Sequence, residues 1–517
     1  MDGFKPFLWN DFSGGWNPKW ALNATQLQQN QSPNMVNVDY AARYALTKRR
    51  GTSVVGDVTA GAGSIKSVFN FIKVDGTEIL IRSYGTVHQS LVAGVWTNFQ
   101  TGLTADQKFD YASDGTYVYG GNAVDNFFKW DGTTVTTSAG NPKGNIFGIA
   151  FFKLFVAGVT AFPYRLYYSQ TGVLDTFAGG TSGNTDFPGK IVSIRGFFTR
   201  DGGEALLVFI ANGSLYQIDF DSTGLITKRL IRSSIGSVSH RATKQLENYN
   251  FIVDIFKNVR GVGYEANVAD VRASTRSIFV EDYLRTLDLT DSAAEYAYRQ
   301  YLLAAKDPDG SQNNVELVYD ELYDSWRLYT GHQVNHYTIY QNKVTYASAT
   351  DLNVYQYDSD KYKDAVGESN VPIYCRYDTK AFDANDPIRT KRLRYVKIAG
   401  YISTGCQLTV KAYTDNNSSS PIWTKTIDGA ADYVDSAVTY PWGSASFGTI
   451  PFAGLGGNES SIEVRPFWVA IMATTQNFND IRLSFENYQE DVDFVITEVK
   501  PVYTLEAEDR IPATNQL

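Results

Sequence analysis

From residue 64 onward the chain alternates short runs of β-branched and aromatic residues with clusters of Gly, Asp, Asn and Pro. Such runs, bounded by turn formers, read as strands, and their regular spacing points to sheets built from hairpins. Residues 67–73, 78–84, 86–91 and 95–99 make a first set of four, with Asp75-Gly76 turning the first pair. A second set covers 109–113, 116–119, 126–130 and 134–137, and a third 146–152, 154–157, 164–169 and 174–177. A fourth covers 190–198, 205–211, 214–219 and 225–231. Within the second, Trp130-Asp131-Gly132-Thr133 is a tight turn, because Asp-Gly supplies the positive backbone angles a short hairpin needs. Consecutive four-strand sets predict the blades of a β-propeller. Less regular sets follow at 240–262, 295–330 and 336–358, so the propeller is assigned to residues 64–387.

Three segments depart from this rhythm. Residues 277–299 carry helix formers at 282–285 and 292–298, with Asp291 or Ser292 as N-cap, and predict a short helical insertion. Residues 1–63 combine turn chemistry at 11–18, one strand at 34–40 and a basic Lys48-Arg49-Arg50, which reads as an extended N-terminal arm. Such an arm is separable: a chain without residues 1–50 is expected to keep a folded propeller. Residues 388–505 alternate apolar and polar positions at 389–398, 408–414, 422–425, 462–466, 467–473, 481–487 and 493–502. Their long Gly-, Ser- and Asn-rich loops, such as 415–420, suit a β-sandwich, and 506–517 reads as a flexible tail. The fold class is therefore all-β: an arm, a β-propeller with a helical insertion, and a C-terminal β-sandwich.

Composition sharpens this picture. Aromatic residues are 14%, with 34 Tyr and 30 Phe against 3 Met, which favours half-buried pleated surfaces over helices. A formal net charge of -9 argues against a general nucleic-acid-binding surface, although a lumen through which DNA merely passes needs few cations. Two cysteines, Cys375 and Cys406, are too few for a disulfide framework. The first residues lack a signal-peptide profile, and no apolar run approaches the ~18 residues of a membrane-spanning helix. These features lead to the expectation of a soluble protein made in a cytoplasm.

Candidate chemistry is sparse. His332 and His336 have the i,i+4 spacing of a helical metal site, but the segment falls between strands. Asp307-Pro308-Asp309-Gly310 offers oxygens for calcium, yet its glycine comes too early, and a turn with Pro at its second position explains the same residues. Glu486, Glu490, Asp491 and Asp493 are candidates for a glycosidase carboxylate pair or for a solvated rim. No nucleophile elbow is present. The reading assigns no catalytic, cofactor or metal site. The two basic clusters, Lys48, Arg49 and Arg50, and Arg389, Lys391, Arg392 and Arg394, are assigned to salt bridges with a neighbouring subunit.

The segments Phe12-Ser13-Gly14-Gly15-Trp16-Asn17-Pro18, 34–40 and Leu46-Thr47-Lys48-Arg49-Arg50-Gly51 resemble the opening of tail proteins of many tailed bacteriophages. Phe128-Lys129-Trp130-Asp131-Gly132, Leu154-Phe155-Val156-Ala157-Gly158, Arg165-Leu166-Tyr167-Tyr168-Ser169 and Ile235-Gly236-Ser237-Val238-Ser239 extend the likeness to the tail nozzle or hub proteins of short-tailed phages. The resemblance implies a non-enzymatic virion protein, assembled in the host cytoplasm as a ring, commonly a hexamer. Its implied partners are the portal and adaptor above, fibres or spikes at its side, and genomic DNA passing through the lumen. It would extend the tail tube and help retain and deliver the DNA, although no plug or gating loop is recognisable. Two alternatives are a carbohydrate- or receptor-binding propeller, and a tail-tip or stopper protein of a long-tailed phage. A propeller hydrolase with paired carboxylates at its channel is a third.

Overall fold

The computed structural model describes residues 5–20, 26–41, 44–198, 203–220, 226–246, 249–264, 271–384, 386, 389–414, 420–432, 464–472 and 477–505. The expected tail at 506–517, the loop at 415–419 and the proposed boundary at 388 lie outside these residues, as do the first residues of the strand expected at 462–466.

Six four-stranded antiparallel sheets and a seventh four-strand unit form a β-propeller. Their first strands are Ser67–Ile72, Asp110–Ser113, Ile146–Ala150, Ile191–Phe198, Lys244–Gln245, Asp288–Ala297 and Val334–Tyr340. Each packs beside the next, and the last returns to the first, closing the circle. Apolar clusters fill the gaps between units. Phe155, Ile194 and Leu206 belong to one between the third and fourth, while Phe71, Phe109, Phe128 and Trp130 lie between the first and second. The Asp131 turn forms as expected: Gly132 has φ +99°, and Asp131 Oδ1 accepts from the amides of Thr133 and Thr134, both at 2.7 Å. These bonds hold the Asp131 carboxyl down at about 2.

The first four sets agree with the sequence reading except at one strand. The third unit closes with Gly183–Asp186, whereas Leu174 and Phe177, expected in a strand, pack from a loop against the neighbouring cluster. The later units differ more. A helix does form at Glu281–Thr286, but the helix expected at 292–298 is part of the inner strand Asp288–Ala297. Ala293 and Ala297 enter the core on one side of this strand and Ala294 the core on the other. At the crowded axis, small side chains serve a strand well, and packing overrides their helix preference.

The N-terminal segment is extended, but it is not an arm standing apart. Gly51–Val54 pairs with Val354–Asp358 and supplies the outer strand of the seventh unit. Leu46–Lys48 pairs with Phe494–Leu505, and Val38–Tyr40 pairs with Leu46–Lys48. Met35–Val36 lies between Ser325–Thr330 of the sixth unit and Ser369–Asp378, joining propeller and C-terminal sheet into one ten-stranded sheet. The strand expected at 34–40 therefore breaks at Asn37, whose φ of 54° lets the chain leave one sheet for the other. Asn tolerates that left-handed conformation better than most residues.

Two sheets face one another in the C-terminal region. One contains Lys391–Ser403, Val464–Met472 and Phe494–Leu505, and the other Ser369–Asp378, Gln407–Thr414, Trp423–Asp428 and Ile481–Gln489. Val396, Ile398 and Val499 meet Val410, Leu483 and Phe485 in one core, which also takes Trp9, Phe12, Trp16, Met35, Val38 and Leu46. The sandwich expected at 388–505 thus also includes residues 369–378 and strands from the first fifty. Pro466 does not divide its strand, because Val464–Met472 runs through it at the sheet edge. The same weave argues against a propeller that survives loss of residues 1–50 unchanged.

Candidate functional site

Two buried polar assemblies stand out, one at the end of the central channel and one where the N-terminal segment enters the propeller. The loop leading to the fifth unit crosses the channel end. Arg241, from that loop, donates to Lys66 O (3.0 Å), Ser67 Oγ (2.7 Å), Phe109 O (2.8 Å) and Asn335 O (3.2 Å). These acceptors belong to the starts of the first, second and seventh units, so one guanidinium ties the far side of the circle together. Arg195 holds the same loop, donating to Thr243 O (2.8 Å) and His240 O (3.0 Å).

His240 sits in this loop, with Nε2 3.0 Å from Asp110 Oδ2 and Nδ1 3.0 Å from Ser193 Oγ. Nε2–H donates to the carboxylate, so Ser193 donates to Nδ1. This is a serine–histidine–aspartate relay, but Ser193 is 0% exposed, which leaves no room for a substrate at Oγ. Burial, and then Arg195, push the His240 imidazole down to about 4, so it is neutral. No spacing in the sequence links Asp110, Ser193 and His240; only ring closure brings them together.

The second assembly is a seam. Arg49 is 1% exposed. Its Nη1 donates to Asp364 Oδ1 (2.9 Å), Nη2 to Asp364 Oδ2 (2.5 Å), Nε to Asn37 Oδ1 (2.8 Å) and Nη2 also to Thr330 O (2.9 Å). His332 lies between two carboxylates, Nδ1 3.1 Å from Glu316 and Nε2 3.2 Å from Asp364. Tyr337 donates to Glu316 at 2.8 Å, and Tyr357 donates to the same carboxylate. Burial and Arg49 push the His332 imidazole down, but Asp364 and Glu316 outweigh them and raise it, which favours a proton on both nitrogens, each facing a carboxylate oxygen.

The residues assigned to a subunit interface are distributed differently from expectation. Lys48, Arg49 and Lys391 lie inside the chain, where the N–H donors of each satisfy buried carbonyls or carboxylates at which segments distant in sequence meet. Lys48 donates to Asn487 Oδ1 (3.1 Å) and Gln489 O (2.7 Å), and Lys391 to Asn479 O (2.9 Å). Arg50 stacks over Tyr362, 4.4 Å from the ring centre. Arg389, Arg392 and Arg394 are half-buried, with Arg394 Nε donating to Thr504 Oγ1 at 3.2 Å.

The other candidates are committed to structural partners. His336 Nδ1 lies 2.8 Å from Val68 O and does not face His332's partners. Asp307–Gly310 forms the expected turn, with Gly310 N donating to Asp307 O at 2.9 Å. Glu486 pairs with Lys411 (2.6 Å), Glu490 and Asp491 with Lys363 (3.4 and 3.3 Å), and Asp493 accepts from Thr47 Oγ1 (2.9 Å). Among the described residues no group of His, Cys, Asp and Glu is arranged to hold a metal ion.

No family model and no curated protein matches the chain. Solved structures similar to it include the computationally designed Ika8 protein, at 10% identity and a TM-score of 0.37. Another is the β-propeller domain of Cps50 (Swd1) from Myceliophteria thermophila, at 12% and 0.40. Each likeness covers 59% of this chain and 99% of the other. The assignment of the propeller rests on the strand pairings given above.

Buried neutral histidines make stability depend on pH. His88, in a cage of Phe99, Phe109, Tyr111 and Phe128, is pushed by burial down to about 4, as is His240. The unfolded chain binds protons on both near pH 6.5, so stability falls as pH drops from about 6.5 towards 4, by up to ~3 kcal/mol for each. His332 is shifted the other way; its contribution is complete below about 6.5 and is lost as pH rises through its folded value. Thermal melts are expected to show a marked fall in midpoint between pH 7 and 4.5. A flat profile over that window would contradict the buried, neutral state of His88 and His240.

Proposed function

We propose that this chain is a structural virion protein that forms a ring at the distal end of a phage DNA channel, as a tail nozzle or hub. The observation that carries the reading is the N-terminal weave. Residues 5–54 contribute strands to the propeller and to both sheets of the sandwich, which makes a rigid wedge suited to the wall of a tube. Identical wedges joined by one repeated contact close into a ring. DNA would pass through the lumen of the ring, not through the propeller, whose inner strands Arg241 ties together across the circle.

Exposed apolar hairpin tips add support. Val74 (83% exposed), Phe152 (78%), Tyr298 (68%) and Leu322 lie at turns between first and second or third and fourth strands, which share one end of a propeller. Apolar groups gathered at one end are what a protein contact needs, here with a neighbouring copy, with the portal and adaptor, or with fibres and spikes. A receptor-binding propeller would use the same aromatic tips, Phe152 and Tyr298. Native mass measurement of the full chain, alone and with a portal–adaptor complex, separates the two. A ring of about six copies, free or on the complex, is the expected result. A monomer under both conditions would overturn the proposal.

A further inference from the structure

Lys48 is fully buried, and among the described residues no carboxylate lies within ion-pair distance of its ammonium group. Its amine instead meets a side-chain amide: Nζ is 3.1 Å from Asn487 Oδ1, and Asn487 is itself 2% exposed. The orientation of that amide is set on both sides. Its Nδ2 donates to Gln407 O (3.1 Å), Gln489 Oε1 (3.1 Å) and Cys406 Sγ (3.6 Å), while Oδ1 also accepts from Gln489 N at 3.3 Å.

A buried lysine without a counter-ion is held as the neutral amine, because an unpaired charge is costly to desolvate. Burial lowers the Lys48 value in this sense. A neutral amine is a nucleophile, and the amide carbonyl beside it is polarised by the Gln489 N–H. Fixed proximity of this kind replaces a slow bimolecular encounter with an intramolecular one. A buried carboxyl group completes the set. Asp493 accepts from Thr47 Oγ1 (2.9 Å), the residue beside Lys48 in the chain, and from Phe494 N (2.7 Å), and burial raises it.

We propose that Lys48 and Asn487 form an intramolecular isopeptide bond. The Lys48 Nζ attacks Asn487 Cγ, a new Nζ–Cγ bond forms, and the Cγ–Nδ2 bond breaks. One proton of the amine ends on the departing nitrogen, which leaves as ammonia. Nothing is oxidised or reduced. The bond would join residues 439 apart in sequence and lock the N-terminal segment into the sandwich.

The test is the intact mass of the full chain under denaturing conditions, followed by peptide mapping. The expected result is a mass short of the sequence value by one ammonia, with a branched peptide joining the Lys48 and Asn487 segments. Full mass, with Lys48 in a linear peptide, would overturn the proposal. Asn487→Ala should remove the branched peptide, and a branch that persisted from Lys48 in that variant would also overturn the assignment. Asn487→Asp should give the same branch with loss of water in place of ammonia. The wild-type measurement stands whether or not either variant folds.

Discussion

Deleting residues 1–50 is expected to abolish folding of the sandwich and destabilise the propeller, and not to yield a folded propeller that merely fails to assemble. The deletion removes Trp9, Phe12, Trp16, Met35, Val38 and Leu46 from a core shared by both parts. At about 2 kcal/mol for each buried side chain, six such losses rival a net stability of roughly 5–15 kcal/mol. It also removes Met35–Val36, leaving the facing edges of Ser325–Thr330 and Ser369–Asp378 unpaired. Unpaired edges of that kind favour aggregation. Soluble yield, circular dichroism and limited proteolysis of the truncated chain check this. A cooperative melt near the full-length midpoint would show that the weave is dispensable.

The second large effect is expected at the seam. Asp364→Ala strands Arg49 and His332, two buried cations that share this carboxylate. Removing one partner of a buried pair typically costs about 3–5 kcal/mol, because the charge left behind has neither water nor a counter-ion. Arg49 is the charge that cannot be discharged. Urea denaturation should show a lower midpoint with an unchanged slope. Replacing both members of the pair, Arg49→Met with Asp364→Leu, should recover part of the loss, since apolar groups of similar size need no partner. A single variant costing under about 1 kcal/mol would mean that the seam is solvated enough to behave as a surface pair.

Both effects concern contacts that the sequence displays only as fragments. Asp131-Gly132 announces its turn because the conformational demand is local, and the apolar run 205–210 announces its strand because both faces of it are buried between neighbours. By contrast, Ala293, Ala294 and Ala297 read as helix formers, since nothing nearby in sequence reveals that they stand at a crowded axis. Lys48, Arg49 and Lys391 read as surface cations for a similar reason. Their partners at 364, 479, 487 and 489 are remote in the chain, and basic clusters are usually solvated. Arg49, assigned to a salt bridge with a neighbouring subunit, pairs instead with Asp364 of the same chain.

Short-range information therefore determined the all-β class, the first four blades and the hairpin turns that punctuate them, because period-two alternation and turn chemistry act within a few residues. Tertiary structure alone decided that the N-terminal segment is woven through propeller and sandwich, that Arg241 bridges the first, second and seventh units, and that Asp110, Ser193 and His240 meet. Each of these joins groups from distant parts of the chain. The gain that brings them together is the burial of apolar surface and the pairing of polar groups away from water, and it exists only once the circle is closed.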